Sequence, residues 1–561
     1  MKLFSVFAKN RLYIPLLLTV FLSLLASRRW QQLISPQVWD EDGAPNPWLN
    51  GGLGSGSDLA DYIHKGWSAF FEPVNGYLVT VPKIISAISL WVSFSNYPIV
   101  STIFTWLFIA LVGLAITLAP THIRAKFLCT LAVFMIPSDP EVYGIPLYTF
   151  WWSSLFLFLV ALWDEKRPSL KWRLGLLLVG GLSSPVIVLI LPVLYFRAYW
   201  YRSLRSEQLV AFIATLAAAV QISFIVKGSA GHFPPLDSVL MNVIPTFYGR
   251  FLIGNWVDNK VWLWLVGMGL TGIIAAWLLR DRRNVSAWIL LYLLAGTVVL
   301  TVVRVDPAGI HPRLAGPRYF FLPFVLTFWI LIQYFHAAHS KWLRSFIGIV
   351  TVTAVINAAP VWSRQHDDLR WTDHVRSCRL FPSYTIPVQF DGNRSSAWSL
   401  KLSGNSCAEL LERDFLISTK EIDERSTFAY TVLKANVRDK GDKGREAAKL
   451  ISSTMTGTDF QKSNLKGYRV IGSFNSSDAD TGEVLLKLHR GDHVLYRSGP
   501  GRGGHSMSIV GHEPAFIAQL PIANDWETLE FSNTKLPAEF VLKIKDEGRE
   551  FGEWSAIAII K

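Results

Sequence analysis

Residues 12–26 read LYIPLLLTVFLSLLA; Lys2, Lys9 and Arg11 precede them, and Ser27-Arg28-Arg29-Trp30 follows. An apolar run behind a basic start has the outline of a secretory signal, but no small-x-small cleavage site comes after it. The run therefore reads as a signal anchor retained as a first span, with its basic start in the cytoplasm. This choice decides the fold, because each further span reverses the side of the chain.

Basic clusters recur at Arg124/Lys126, Lys166–Arg173, Arg197–Arg205, Arg280–Arg283 and Lys341/Arg344. Placed inside, they put Trp39–Tyr77, Pro137–Gly144, Lys227–Asn259 and Arg304–Pro317 outside. Further spans are expected near 98–119, 127–137, 146–163, 208–226, 261–279, 285–303, 319–335 and 343–361. Two segments break the count. Leu174–Phe196 is long enough for a span, but both flanks are basic and Gly180-Gly181-Leu182-Ser183-Ser184-Pro185 interrupts its middle. It reads as a re-entrant pair of half-helices, tolerable where buried in protein or lining a cavity. Leu78–Phe94 carries Pro82 and Lys83 and fits an amphipathic helix at the outer leaflet.

Composition agrees. Of 561 residues, 51% are hydrophobic and 17% charged, against about 25% charged in soluble proteins. Disordered, collagenous and disulfide-scaffold classes are excluded by that apolar majority and by three cysteines. The net charge of +12 lies in short clusters between apolar runs, which is loop asymmetry and not a nucleic-acid surface. A multi-span membrane protein remains.

After Pro360 charges become frequent and long apolar runs stop, and the parity places this region outside. Residues 363–465 read as a linking region. From 466 to 561, strand-like runs at Leu485–Leu488, Val494–Tyr496, Phe516–Leu520, Thr528–Phe531, Phe540–Ile544 and Trp554–Ile560 suggest a β-sandwich or jelly roll. Arg490-Gly491-Asp492 reads as a polar turn, not an adhesion signal. Cys378 and Cys407 share the outer, oxidising side and are expected to pair, while Cys129 falls in a span. The expected fold is thus a polytopic α-helical membrane domain, residues 1–362, of about ten spans plus a re-entrant pair, followed by an extracytoplasmic β-rich domain.

The first outer loop, residues 37–77, carries the chemistry. Trp39-Asp40-Glu41-Asp42-Gly43 is followed by Asp58, Asp61, His64 and Glu72. A carboxylate held at a membrane boundary can act as a general base or hold a divalent cation through oxygen. A second acidic pair, Asp139-Pro140-Glu141, is a weaker candidate for a metal. Cationic counterparts are Lys83, Arg304, Arg313 and Arg318, whose guanidinium or ammonium groups suit a lipid-linked phosphate. Walker and His-Glu-x-x-His motifs are missing, and Gly52-x-Gly54-x-Gly56 lacks the strand and helix of a dinucleotide site.

Acidic residues after the first span, an aromatic-rich outer loop, Pro73-Val74-Asn75-Gly76-Tyr77-Leu78 and Gly316-Pro317-Arg318-Tyr319 resemble the C-class membrane glycosyltransferases of bacterial surface-polysaccharide assembly. Phe551-Gly552-Glu553-Trp554 is similar to strands of their external β-domain. The resemblance implies a polyprenyl-phosphate-linked sugar as donor, a cell-envelope glycan as acceptor and a bacterial inner-membrane location. It implies catalysis by one of Asp40, Glu41 or Asp42, with Arg318, Arg313 and Lys83 at the donor phosphate. His64, Glu72, Tyr77 and Tyr319 would line the donor and acceptor. Two rivals stand beside it: a transporter of a lipid-linked glycan, which would show repeated halves and charges inside spans, and a non-catalytic polysaccharide assembly protein.

Overall fold

The computed structural model describes residues 13–39, 44–45, 59, 63, 66–74, 76–167, 169–227, 234–366, 368–378, 383–388, 398–416, 431–434, 448–455, 457, 468–474, 480–499, 504–511, 517–520, 526–531, 536–549 and 552–560. The chain forms two compact units: residues 1–34, 70–85 and 101–365 make the first, and 35–69, 86–100 and 366–561 the second.

Up to residue 357 the α-helices longer than one turn are, in chain order, α1 (Tyr13–Arg28), α2 (Thr80–Val92), α3 (Tyr97–Leu118), α4 (Lys126–Phe134), α5 (Thr149–Ala161), α6 (Leu170–Ser183), α7 (Val186–Trp200), α8 (Arg205–Lys227), α9 (Leu236–Val243), α10 (Lys260–Arg280), α11 (Val285–Arg304), α12 (Phe321–Ala337) and α13 (Lys341–Asn357). Among the described residues, six helices are long and apolar enough to cross a membrane: α3, α8, α10, α11, and α12 and α13 with their flanking turns. The expected spans 127–137 and 146–163 are shorter. α4 has 9 residues and α5 has 13, too few at 1.5 Å per residue for a core of about 30 Å. Pro137 and Pro146, with the turn between them, end these helices early.

Hydrogen bonds sort the first unit's loops into two groups, one at each end of its helices. At one end, His122 N–H donates to Leu162 O at 3.0 Å, and the Gln333 amide brackets the Arg124 backbone. At the other, Asn255 joins Pro137 to Asn357, and Gln221 brackets the Leu78 backbone. α5 and α12 are buried almost all round, as uniformly apolar helices should be.

The helix breaks at Ser184-Pro185, between α6 and α7. Arg173 near the start of α6 and Arg197 near the end of α7 both grip Glu207 of α8, at 2.6 and 2.9 Å. Near the break, the Gln221 amide donates to Gly181 O at 3.1 Å. The two half-helices therefore start and finish at one level and turn around about 21 Å away, the rise from Glu207 to Gln221. Gly180 makes this packing tight, because a Cβ there would lie 2.8 Å from Leu157.

The second unit holds α14 (Trp371–Cys378), α15 (Gly404–Glu412) and three antiparallel sheets. A small sheet joins β1 (Ala44–Pro45), β3 (Trp398–Ser403) and β2 (Ser383–Pro387) in that order. Two five-stranded sheets follow. One has the order β10 (Ile517–Gln519), β9 (His505–Ile509), β12 (Glu539–Asp546), β7 (Gly482–His489), β5 (Lys449–Ser453). The other runs β4 (Thr431–Lys434), β11 (Glu527–Glu530), β8 (His493–Ser498), β13 (Ser555–Ile560), β6 (Tyr468–Gly472). Alternate residues of β7 and β12 are buried, the period of a sheet with one covered face. Leu486, Leu542 and Ile544 share a core with Val494, Leu529 and Ile557 of the other sheet, so the two sheets form a sandwich.

Beyond the helical unit β structure thus resumes at Ser383, within the stretch read from sequence as a linking region. The turn at Arg490-Gly491-Asp492 passes from one sheet to the other. Asp492 is buried there and accepts from His489 N–H at 2.7 Å, while Gly491 takes a φ of 95°. That carboxylate belongs to the turn and not to a surface signal. Cys378 and Cys407 form a disulfide between α14 and α15, with Cα atoms 5.9 Å apart.

Candidate functional site

The ends of the first unit's helices that carry residues 134–148 and 304–320 hold a set of guanidinium, carboxylate and phenol groups. Asp139 starts it. Its carboxylate accepts from Glu141 N–H at 3.0 Å, and Pro140 opens the short 3-10 turn 140–143. This geometry buries Glu141. Glu141 Oε1 accepts from Arg318 Nη1 at 2.7 Å and from the Tyr148 hydroxyl at 2.7 Å. Its Oε2 accepts the Arg318 backbone N–H at 3.2 Å.

The Gly-Pro-Arg-Tyr stretch explains how Arg318 arrives. Gly316 has a φ of 62°, and a Cβ there would lie 2.7 Å from the Tyr319 ring. Pro317 then starts a second 3-10 turn. Arg318 lies 5.5 Å from the Tyr148 ring centroid and 5.4 Å from that of Tyr319. Two further arginines belong to the set. Arg364 meets Asp139 at 3.3 Å. Arg28 is buried between Tyr143 and Trp362, 4.7 and 4.9 Å from their centroids, and donates to Ser138 O at 2.7 Å.

The two carboxylates are pushed in opposite directions. Burial raises Asp139, against the pull of Arg364. Burial would also raise Glu141, but Arg318, Arg364 and the Tyr148 hydroxyl hold it below the ordinary carboxylate range. Neighbouring acids set apart in this way can divide proton-holding and charge-holding roles.

The other sequence motif reaches the same end. Val74 and Tyr77 form a bridge across the turn at Gly76, whose φ is 82°. Thr80 and Val81 bond to Leu182 and Ser183 at the tip of the α6–α7 hairpin, at 2.8 and 3.1 Å. Tyr77 is thereby held with its ring 4.6 Å below the exposed Arg304 guanidinium, which also donates to its hydroxyl. Burial raises the Tyr77 phenol, against Arg304, and Tyr319 acts on it as well.

The structure thus brings together Tyr77, Glu141, Asp139, Arg318 and Tyr319, with Arg304 beside them. Lys83, expected to face a phosphate, is buried and donates to the Glu72 carbonyl. Arg313 is exposed on the 305–316 loop, next to His311, which burial and Arg250 depress to about 4. Asp139 and Glu141, considered as metal ligands, take guanidinium partners. Among the described residues, the group with metal-like spacing is His122, Asp164 and Glu165 at the opposite end. It adjoins Arg167, 3.6 Å from Asp164. Asp40, Glu41, Asp42 and His64 lie outside the described residues. Sequence reasoning misses Arg28, Arg364 and Tyr148. Arg28-Arg29 carried a signal, because two arginines stand at the end of the expected first span, where the charge rule expects none.

No family model and no curated protein matches the chain. Among solved structures it is similar to the arabinosyltransferase EmbB of Mycobacterium smegmatis, determined by single-particle cryo-EM. The identity is 11% over 97% of this chain and 64% of that one, with a TM-score of 0.26. The chain spans less than two thirds of that protein's length, and a likeness this slight assigns neither fold nor activity.

Proposed function

We propose that this chain is a membrane glycosyltransferase that takes a sugar from a polyprenyl-phosphate donor to a cell-envelope glycan at the outer face of a bacterial inner membrane. One observation carries the reading. Arg304, Arg318, Tyr77 and Tyr319 gather at one end of a helical unit of span-grade helices, where a lipid phosphate head would lie. Guanidinium groups suit such a phosphate through paired N–H donors. The resemblance of Pro73–Leu78 and Gly316–Tyr319 to the C-class enzymes supports the same end.

In this reading the acceptor hydroxyl attacks the anomeric carbon and the bond from that carbon to the phosphate oxygen breaks. A carboxylate of Asp40, Glu41 or Asp42 takes the hydroxyl proton, and Arg304, Arg313 and Arg318 stabilise the departing polyprenyl phosphate. Glu141 and Tyr148 orient Arg318. His64, Glu72, Tyr77 and Tyr319 line the reacting groups. Asp139 and Glu141, with guanidinium partners, do not fit a divalent cation, and no step runs through one.

The test is sugar transfer in membranes at matched protein abundance. Neutralising the triplet as Asp40→Asn, Glu41→Gln and Asp42→Asn together should lower the rate by about 10²–10⁴-fold, the usual worth of a general base. Unchanged transfer would remove the triplet from the chemistry. Arg318→Lys should lower the rate while keeping the charge, since lysine lacks the fork.

A further inference from the structure

Helix α2 buries Val81, Ile85 and Leu90 as a surface helix does, yet its exposed positions are apolar too. Its exposed positions are Ile84, Ile88 and Trp91, spaced by four and three residues along one stripe. Its buried positions include Ser86 and Ser89, each 0% exposed. Ser86 has a partner there, accepting from the Tyr97 hydroxyl at 3.2 Å. A surface helix in water turns polar residues outward, so an outer face of isoleucines and a tryptophan, with serines buried behind it, indicates an apolar surrounding on the exposed side.

The far part of the chain adds to the stripe. Phe415 and Leu416 are 75% and 59% exposed, and the Phe415 ring lies 5.7 Å from that of Trp91. They are pinned in place by backbone and carboxylate bonds. Phe415 N–H donates to Val92 O at 3.0 Å. Asp414 is buried and accepts from Ser93 Oγ at 3.0 Å and Ser95 N–H at 2.8 Å. Glu412 and Arg413, just before, are exposed. An apolar tip behind charged residues, next to a tryptophan, is the composition of a membrane–water boundary. Shortly after α2 the chain starts α3, which is long and apolar enough to cross a membrane.

We propose that Phe415 and Leu416, with Ile88 and Trp91, form a lipid-facing surface that seats the second unit in the headgroup–acyl boundary. The inference concerns attachment and stands whether or not the chain transfers sugar. Asp414 is the positioning residue, holding the tip against the end of α2.

The experiment uses the full chain in liposomes, with an environment-sensitive fluorophore on Phe415→Cys and, separately, on Leu416→Cys. Cys129 is buried and Cys378 and Cys407 are paired, so the new thiol is the one labelled. Glu547→Cys, on an exposed position of the same unit, is the reference. Interfacial apolar faces sit about 5–10 Å deep. Both tip labels should therefore emit blue-shifted and lose roughly half their intensity to lipids carrying a shallow nitroxide, more than to lipids with a deep one. The reference label should be unaffected. Labels at 415 and 416 as unquenched as at 547 would overturn the proposal. So would a blue shift without lipid quenching, which means that protein covers the tip.

Discussion

At the residue scale, Glu141 and His374 show how burial sets the behaviour of an ionisable group. Glu141 is held anionic by Arg318, and removing its charge leaves that guanidinium without its carboxylate. Glu141→Gln is expected to cost up to about 3 kcal/mol, read as a lower melting temperature in detergent, because one half of a buried pair is worse than none. Glu141→Gln with Arg318→Met should recover part of that loss; a double variant no better than the single would remove the pair from the explanation. His374 is buried with its Nδ1 2.8 Å from the Tyr384 hydroxyl, and burial together with His505 depresses it from 6.5 to about 3. The unfolded chain takes up this proton near pH 6.5 and the folded one near 3. Between those values unfolding binds a proton, so stability falls as pH falls, by up to about 1.4 kcal/mol per pH unit. His374→Gln should flatten that acid limb in a melting series from pH 7 to 4. An unchanged slope would place the acid sensitivity elsewhere.

At the element scale, the α6–α7 hairpin is legible in the sequence, since glycines and Ser184-Pro185 break an apolar run between two basic flanks. What joins its ends is not. Glu207 stands at the start of α8 like an ordinary first-turn acid, and only folding puts Arg173 and Arg197 on it. Arg318 can be read from Gly316-Pro317-Arg318-Tyr319 because the turn chemistry is local. Glu141 and Arg364 cannot be read as partners of that end, since their pairs close over long stretches of chain. The helices α4 and α5 come out shorter than the spans expected there, because hydropathy does not see where a turn cuts an apolar run. Two tests follow. Glu207→Gln should destabilise the helical unit by about 3–5 kcal/mol, since two arginines would stay buried without their anion; a loss under about 1 kcal/mol, as for a surface pair, would contradict the clamp. Cysteines at Lys171 and Arg202, both beyond the clamp, should react with a membrane-impermeant maleimide from the same side of sealed vesicles. Labelling from opposite sides would mean that the pair crosses the membrane.

At the scale of the whole molecule, the alternation of basic loops and apolar runs along the sequence already separates a helical part from a sheet part. The strands expected from Leu485 to Ile560 fall close to β7, β8 and β10–β13. The strands at 383–387, 398–403 and 449–453 are hidden by polar composition and by interruptions between them. The disulfide between Cys378 and Cys407 closes a loop of about 30 residues and should contribute about 3 kcal/mol. Cys378→Ser with Cys407→Ser should therefore lower the melting point of the second unit, and equal melting with and without reductant would contradict it. An alkaline phosphatase fused after Lys561 should be active in cells, and an inactive fusion would reverse the assigned sides. The central claim is sugar transfer from a lipid phosphate. Its most direct test places purified full chain in liposomes with isotope-labelled polyprenyl-phosphate sugars and a glycan acceptor, and follows both products by mass spectrometry. The expected result is labelled glycan and free polyprenyl phosphate in equal amounts, abolished by neutralising Asp40, Glu41 and Asp42. Intact donor that merely appears in the opposite leaflet, with no labelled glycan from any sugar tried, would contradict it and make the protein a transporter.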